Sequence, residues 1–251
     1  MRTLNIVAIV LLILLIIWTL SWLFIKTNII SDTLLYANES YSEDKNMIKA
    51  KDIPMNTTSN FTMSIWFRID NWGNNISRDK NILFLSESNM TNKNVEIKLD
   101  SFKNDLHISL KRHPSGEDGD NNIETFEITN IPIQKWACLT VSVDNKTVDV
   151  YLDGKLRNSF IMSNTYDQTS NGDLNIYLGN TNTNTNTITN SNGFEGYLTR
   201  FRYIPHSIDP EYSYKIYKDG IDNSQVKTLY NKYSLKVSFL EYDKPVGEFS
   251  I

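Results

Sequence analysis

A chain of 251 residues, 40% of them apolar and 22% charged, with a formal net charge of -4, has room for one large domain and enough apolar side chain to build its core. That composition excludes a disordered chain. Its Lys and Arg residues are scattered, so no basic stripe is available for a phosphate backbone, and nucleic acid is excluded as a partner.

Residues 1–5 read as a short tail. Residues 6–25, IVAIVLLILLIIWTLSWLFI, carry no charge and as a helix would be about 30 Å long, the thickness of a bilayer's hydrocarbon core. Trp18 and Trp22 lie toward the carboxyl end of the run, and Arg2 and Lys26 bracket it. Such rings and charges suit the headgroup level, so the run predicts a transmembrane helix and a bilayer as partner. A cleaved signal peptide is the competing reading, but its apolar region is shorter and ends in small residues, which are missing here. Loop charge is too evenly divided to orient the helix. Residues 26–45 are polar, mixed in charge and without sustained period, as in a stalk between the bilayer and a domain over 46–251.

From there strand signals dominate. FTMSIWFRID puts Phe61, Met63, Ile65, Phe67 and Ile69 on one face, with Trp66 the one large apolar residue on the other. NILFLSES, VEIKL, DLHISLKR, ETFEIT, WACLTVSV, TVDVYL, KLRNSF and LNIYLG follow, separated by Asn, Asp, Gly and Ser. Short strands with regular turn punctuation predict an all-β sandwich or barrel. Asp153-Gly154 can take the positive φ values of a type I′ turn, so residues 136–160 should form a three-stranded meander in the middle of a sheet. Cys138, the lone cysteine, sits inside that meander and reads as a buried thiol, and no disulfide framework exists. One short helix is expected, with Asp209 as N-cap, Pro210 at its first position and Gly220 as its stop. The repeat NTNTNTNT at 180–187 reads as a solvated loop.

FTMSIWFRID, WACLTVSVDNKTVDVYLDGKL, LNIYLGN and GFEGYLTRFRYIPHSIDPEYSYKIYKDG, in that order, resemble the laminin-G-like, concanavalin A-like lectin-glucanase jelly roll. Trp66, Trp136, Tyr151, Gly154, Gly179, Phe194, Gly196, Tyr217 and Gly220 stand at the places the family's motifs require, and the resemblance covers residues 46–251. It implies two curved antiparallel sheets packed face to face, with ligands bound at a rim of loops or on a sheet. It implies no reaction, because the fold hosts lectins, adhesion modules, hydrolases and structural proteins alike. An anchor before such a domain, in an Asn- and Ile-rich chain, is similar to membrane and virion proteins of large DNA viruses.

The candidate sites are few. Glucanases of this fold need two carboxylates flanking the scissile bond; the nearest arrangement is Glu96, Lys98 and Asp100, which reads as a solvated strand face with a lysine between the acids. His107, His113 and His206 stand apart from any nucleophile motif, so no catalytic residue is assigned. Trp72, among Asn71, Asn74 and Asn75 just past the first strand, suits a sugar face stacked on the indole with amides at its hydroxyls. Its competing reading is a plug at the end of the sandwich. Asp118, Asp120 and Asn122 alternate as calcium ligands do, but an EF-hand would have Gly and Glu where Ile123 and Thr129 stand, which favours a plain hairpin loop. Ca2+ stays open as a cofactor because laminin-G-like domains often carry one at the rim. Sequons at Asn38, Asn56, Asn60, Asn75, Asn89 and Asn145 are about as many as this composition yields by chance. The expected function is a membrane-anchored, non-catalytic recognition or adhesion module for glycan or protein. The alternatives are a structural virion component packed against capsid or envelope proteins, or a glycoside hydrolase with diverged acids.

Overall fold

The computed structural model describes residues 15, 29–54, 58–72, 77–78, 80–88, 90, 92–114, 122–168, 174–181, 192–221, 236–241 and 244–250. Asn74, Asn75, Asp118, Asp120, most of the 180–187 repeat and all of the apolar run except Leu15 lie outside them. Among the described residues no helix is long and apolar enough to cross a membrane.

Two antiparallel sheets form the sandwich. Sheet A runs β1 (Ile29–Ser31), β13 (Glu195–Ile204), β4 (Phe61–Asn71), β9 (Trp136–Asp144), β10 (Thr147–Leu152), β11 (Lys155–Ile161), with β2 (Leu35–Tyr36) also paired to β13. Sheet B runs β3 (Met47–Ile48), β12 (Asn175–Leu178), β5 (Lys80–Ser86), β6 (Lys93–Leu99), β7 (Leu106–Lys111), β8 (Ile123–Ile128). A separate ribbon pairs β14 (Lys236–Glu241) with β15 (Lys244–Ser250). All nine strands expected from alternation are present. The inward residues of both sheets, among them Phe61, Phe67, Leu83, Ile97, Ile108, Val141 and Leu198, make one continuous core.

Three findings extend or revise the sequence reading. First, the meander ends at β11, which is an edge strand and mostly exposed, so it lies at one side of sheet A and not in its middle. Its turn is as expected, with Asp153 at φ 51 and Gly154 at φ 73. Second, β1 and β2 lie within the segment read as a stalk. They pair along β13, and Leu35 and Ala37 are 2% and 0% exposed in the core. Runs of two or three residues are too short to show a period, so their pairing had no sequence signal.

Third, the outward face of sheet A is partly covered. Helix α2 (Pro210–Lys218) starts as expected, the Asp209 carboxylate accepting the Tyr212 N–H at 2.7 Å. With the shorter α1 (Glu43–Asn46) it makes two α-helices among the described residues outside the apolar run. Ile216 of α2 closes a second apolar cluster with Trp66, Cys138 and Ile204. Trp66 therefore stacks under Tyr217, ring centres 5.7 Å apart, and its place opposite the core face is explained. Burying a side chain of that size contributes about 2–3 kcal/mol. Cys138 is the buried thiol expected, and burial pushes its pKa up to about 11. The buried Arg202 pairs with Asp219 at 3.0 Å, and Arg200 donates to the carbonyls of Asp219 and Gly220, fixing the end of the helix to β13.

Candidate functional site

Among the described residues no helix packs across the outward face of sheet B, and α1 adjoins only its β3–β12 end. Because Ile48, Ile176, Leu83, Leu85, Val95 and Ile97 point into the core, their neighbours point out. Register then places one row of side chains across all six strands: Met47, Tyr177, Phe84, Glu96, Ser109 and Thr125. The row divides by chemistry. At one end Phe84 and Tyr177 stack at 5.0 Å, and Tyr41 adds a third ring 6.3 Å from Tyr177. At the other, the hydroxyls of Ser109 and Thr125 share a hydrogen bond of 2.8 Å. Between them Glu96 is held by the ammonium of Lys93 and by Lys98 at 3.6 Å, while Lys93 also lies over Phe84, 4.5 Å from its centroid.

A cavity of about 390 Å³ opens at the aromatic end, walled by Tyr41, Met47 and Tyr177 with Lys49, Lys51 and Asn175 among its polar groups. That volume lies within the range of small-ligand sites. Its walls are held in place by local hydrogen bonds. The Asn175 Oδ1 accepts the Ala50 N–H at 3.0 Å, joining β12 to the 49–52 turn. The Asn46 Nδ2 donates to the carbonyls of Leu178 and Asn180 at 3.2 and 3.3 Å, joining α1 to the end of β12. The Tyr177 hydroxyl donates to the Glu87 carbonyl at 3.3 Å, and burial raises the pKa of the Tyr41 phenol. Lys49 and Lys51 are exposed and make no ion pair among the described residues, and the exposed Glu43 also lines the cavity, so its lining carries two positive charges and one negative.

The residues singled out in the sequence lie elsewhere. Trp72 is half-buried and packs against the core, with the Lys80 ammonium 5.1 Å from its ring and its Nε1 without a partner among the described residues. The backbone carbonyl of Asn122 accepts the Arg112 N–H at 2.7 Å. No group of three or more His, Cys, Asp or Glu fit to hold a metal ion occurs among the described residues. Glu96 and Asp100 are half-buried on the face expected of them. Backbone N–H groups of Lys103 and Phe102, both at 2.8 Å, lower the Asp100 carboxyl below its ordinary value.

The family-motif residues are architectural. Trp66, Trp136 and Tyr217 pack in or against the cluster beneath α2. Tyr151 is 1% exposed on the same face, its phenol pushed up to about 12 by burial and then by Asp149 and Asp209. A Cβ on Gly154 would come 2.9 Å from Tyr217 Cβ, while Gly220 ends α2 at φ 68. Gly179 and Gly196 instead lie close to the backbone of Ala37 and Arg68. The aromatic cavity was missed because residues 41–51 alternate no apolar side chains; the isolated Tyr41 and Met47 were its only trace in the sequence.

The sequence model of the concanavalin A-like lectin/glucanases superfamily matches residues 42–211. No curated protein matches the chain. Among solved structures, two of the type G botulinum neurotoxin receptor-binding domain resemble it, with TM-scores of 0.50 and 0.52 at 14% and 12% identity. The binding domain of botulinum neurotoxin DC, solved in complex with rat synaptotagmin II, resembles it with a TM-score of 0.50 at 13% identity. Each comparison covers 75% of this chain and 45% of the toxin domain, so the chain spans less than half the length of those domains. At such identity the likeness is one of fold.

Proposed function

The chain belongs to the concanavalin A-like lectin/glucanase superfamily, and from that premise we propose that it is a non-catalytic recognition module, anchored in a membrane by residues 6–25, whose ligand is a glycan held in the cavity of sheet B. The observation that carries this is the pairing of the half-buried Tyr41 ring, backed by the buried Tyr177, with amide and ammonium groups in a cavity of about 390 Å³. One face of a pyranose is apolar and stacks on aromatic rings, while its hydroxyls take hydrogen bonds from groups such as Asn175 and Lys49. With Lys49 and Lys51 set against Glu43, the lining has one positive charge in excess, which favours a saccharide with an acidic substituent.

The chemistry of the acids supports binding without turnover. Glu96 is ion-paired with Lys93 and Lys98, and the Asp100 carboxyl is lowered by its backbone hydrogen bonds. A retaining or inverting pair needs one protonated carboxylic acid. The toxin domains of similar fold are receptor-binding domains by name and one is held by a protein, so protein is the other class of ligand to test.

A glycan array probed with the full chain in detergent micelles tests the proposal. Retention on acidic saccharides that falls for Tyr41→Ala and for Lys49→Ala is the expected result. Retention unchanged by both substitutions would remove the cavity from the account. No retention on any glycan, with capture of a protein ectodomain that Tyr41→Ala weakens, would assign the cavity to protein.

A further inference from the structure

The outward face of sheet A is only partly covered by α2, and what remains open has a definite chemistry. Leu35, Leu198, Phe67 and Ala137 point into the core, so Tyr36, Tyr197, Arg68 and Trp136 point outward. Register makes them neighbours in one row across β2, β13, β4 and β9. The Tyr36 and Tyr197 rings lie 5.5 Å apart. Leu34, two residues before Tyr36, is 60% exposed, and Tyr36 is 37% exposed. Arg68 is balanced by Asp70 at 2.6 Å, and Asp70 and Glu195 lie close enough to Tyr36 to help raise its phenol, after the larger effect of burial. The row is therefore aromatic at its Tyr36–Tyr197 end, beside the exposed Leu34, and its charged neighbours Arg68, Asp70 and Glu195 leave no excess of positive charge. Rings with an apolar body and a polar tip are the side chains that settle at the headgroup level of a bilayer.

The tether decides what this row meets. The apolar run ends at Ile25 and β1 begins at Ile29, already paired to Arg202 of β13. Four residues of extended chain reach at most about 14 Å. The segment from 29 to 36 is not a free stalk, because β1 and β2 lie along the same β13 edge from which the aromatic row starts. A tether that short keeps the row beside the lipid at high effective concentration, so even weak interfacial preference is satisfied.

We infer that the open part of sheet A's outward face, with Leu34, Tyr36 and Tyr197 foremost, rests on the lipid headgroups, and that the cavity on the opposite face of the sandwich is thereby presented away from the membrane. The inference rests on the anchor reading of residues 6–25 and deepens the proposed function. Two sheets packed about 10 Å apart have outward faces that look in opposite directions. Recognition is then directed at ligands beyond the chain's own bilayer.

The test uses the full chain in phosphatidylcholine vesicles. Leu34→Cys and Glu127→Cys, the second exposed on the outward face of sheet B, are each labelled with a polarity-sensitive fluorophore, Cys138 being buried and unlabelled. A quencher attached to lipid headgroups should quench the Leu34 label several-fold more than the Glu127 label. Adding phosphatidylserine should not raise that ratio, because the row has no net positive charge. Equal quenching, or stronger quenching at Glu127, overturns the inference while leaving the anchor intact, as vesicle flotation reports separately. A chain that does not float with vesicles overturns the anchor reading and this inference with it. A ratio that climbs with phosphatidylserine would assign membrane contact to basic residues and overturn the role of the aromatic row.

Discussion

Gly154 answers two demands at once, and a pair of substitutions separates them. Its φ of 73 is left-handed, and a Cβ built on it would lie 2.9 Å from Tyr217 Cβ and 3.0 Å from Tyr214 Cα. Gly220 has nearly the same φ, 68, with nothing within 4 Å of the added Cβ. Gly220→Ala therefore reports backbone conformation alone, about 1–2 kcal/mol for an L residue in the left-handed region. Gly154→Ala adds an overpacking cost of about 1–3 kcal/mol, because the Tyr214 contact is with helix backbone that no side-chain rotation can clear. To make room α2 must shift, which loosens Tyr217 over Trp66. Urea unfolding of the chain lacking residues 1–26, followed by tryptophan fluorescence, should show both variants destabilised, with Gly154→Ala the worse by about 1–3 kcal/mol. Equal losses would mean that α2 does not rest on the hairpin turn, and no loss at Gly154 would refute the turn type as well.

The chain starting at residue 27 keeps β1 and should fold, whereas one starting at residue 46 loses β1, β2 and the buried Leu35 and Ala37. It should be less stable by more than about 3 kcal/mol in the same urea assay, and equal midpoints would contradict the packing of this segment. Cys138 has a folded pKa raised from 9.0 to about 11 by burial. The native state thus keeps a proton that the unfolded chain releases, and its contribution is complete below pH 9 and lost as pH rises through 11. Unfolding free energy should fall across that window by roughly 3 kcal/mol more than in Cys138→Ala, and parallel curves would refute the buried thiol. Asp219→Ala leaves the buried Arg202 without the partner it holds at 3.0 Å and should cost about 3–5 kcal/mol, measured by thermal unfolding. A change within about 0.5 kcal/mol would show the ion pair to be incidental.

Alternation over five or more residues made the core legible, since Phe61 to Ile69 or Val148 to Leu152 gather their aliphatic side chains on one face. Chemistry made the ends of elements legible, at Asp153-Gly154 and Asp209-Pro210. Trp66 was the informative misfit, because a large apolar residue on a polar face signals a further layer, here α2. What stayed hidden depends on long-range pairing. Leu35 and Tyr36 are a strand only because β13 lies beside them. Tyr41 and Met47, Phe84, and Tyr177 come from three separate segments, and nothing local in any of them points to the other two. Trp72 drew notice as an aromatic among amides, while the aromatic groups that wall the cavity carry no such local signature. The motif residues gave the family and not the ligand, because they hold α2, the hairpin and close backbone contacts together.

Titration calorimetry of the best array saccharide against the full chain, with native and Tyr41→Ala proteins side by side and the saccharide recovered afterwards, tests the binding proposal most directly. Removing the ring should lower affinity about tenfold or more, with an unchanged melting temperature and the saccharide returned intact. Equal affinity in the two proteins would place binding outside the cavity, and hydrolysed saccharide whose cleavage stops in Glu96→Gln would make the protein an enzyme.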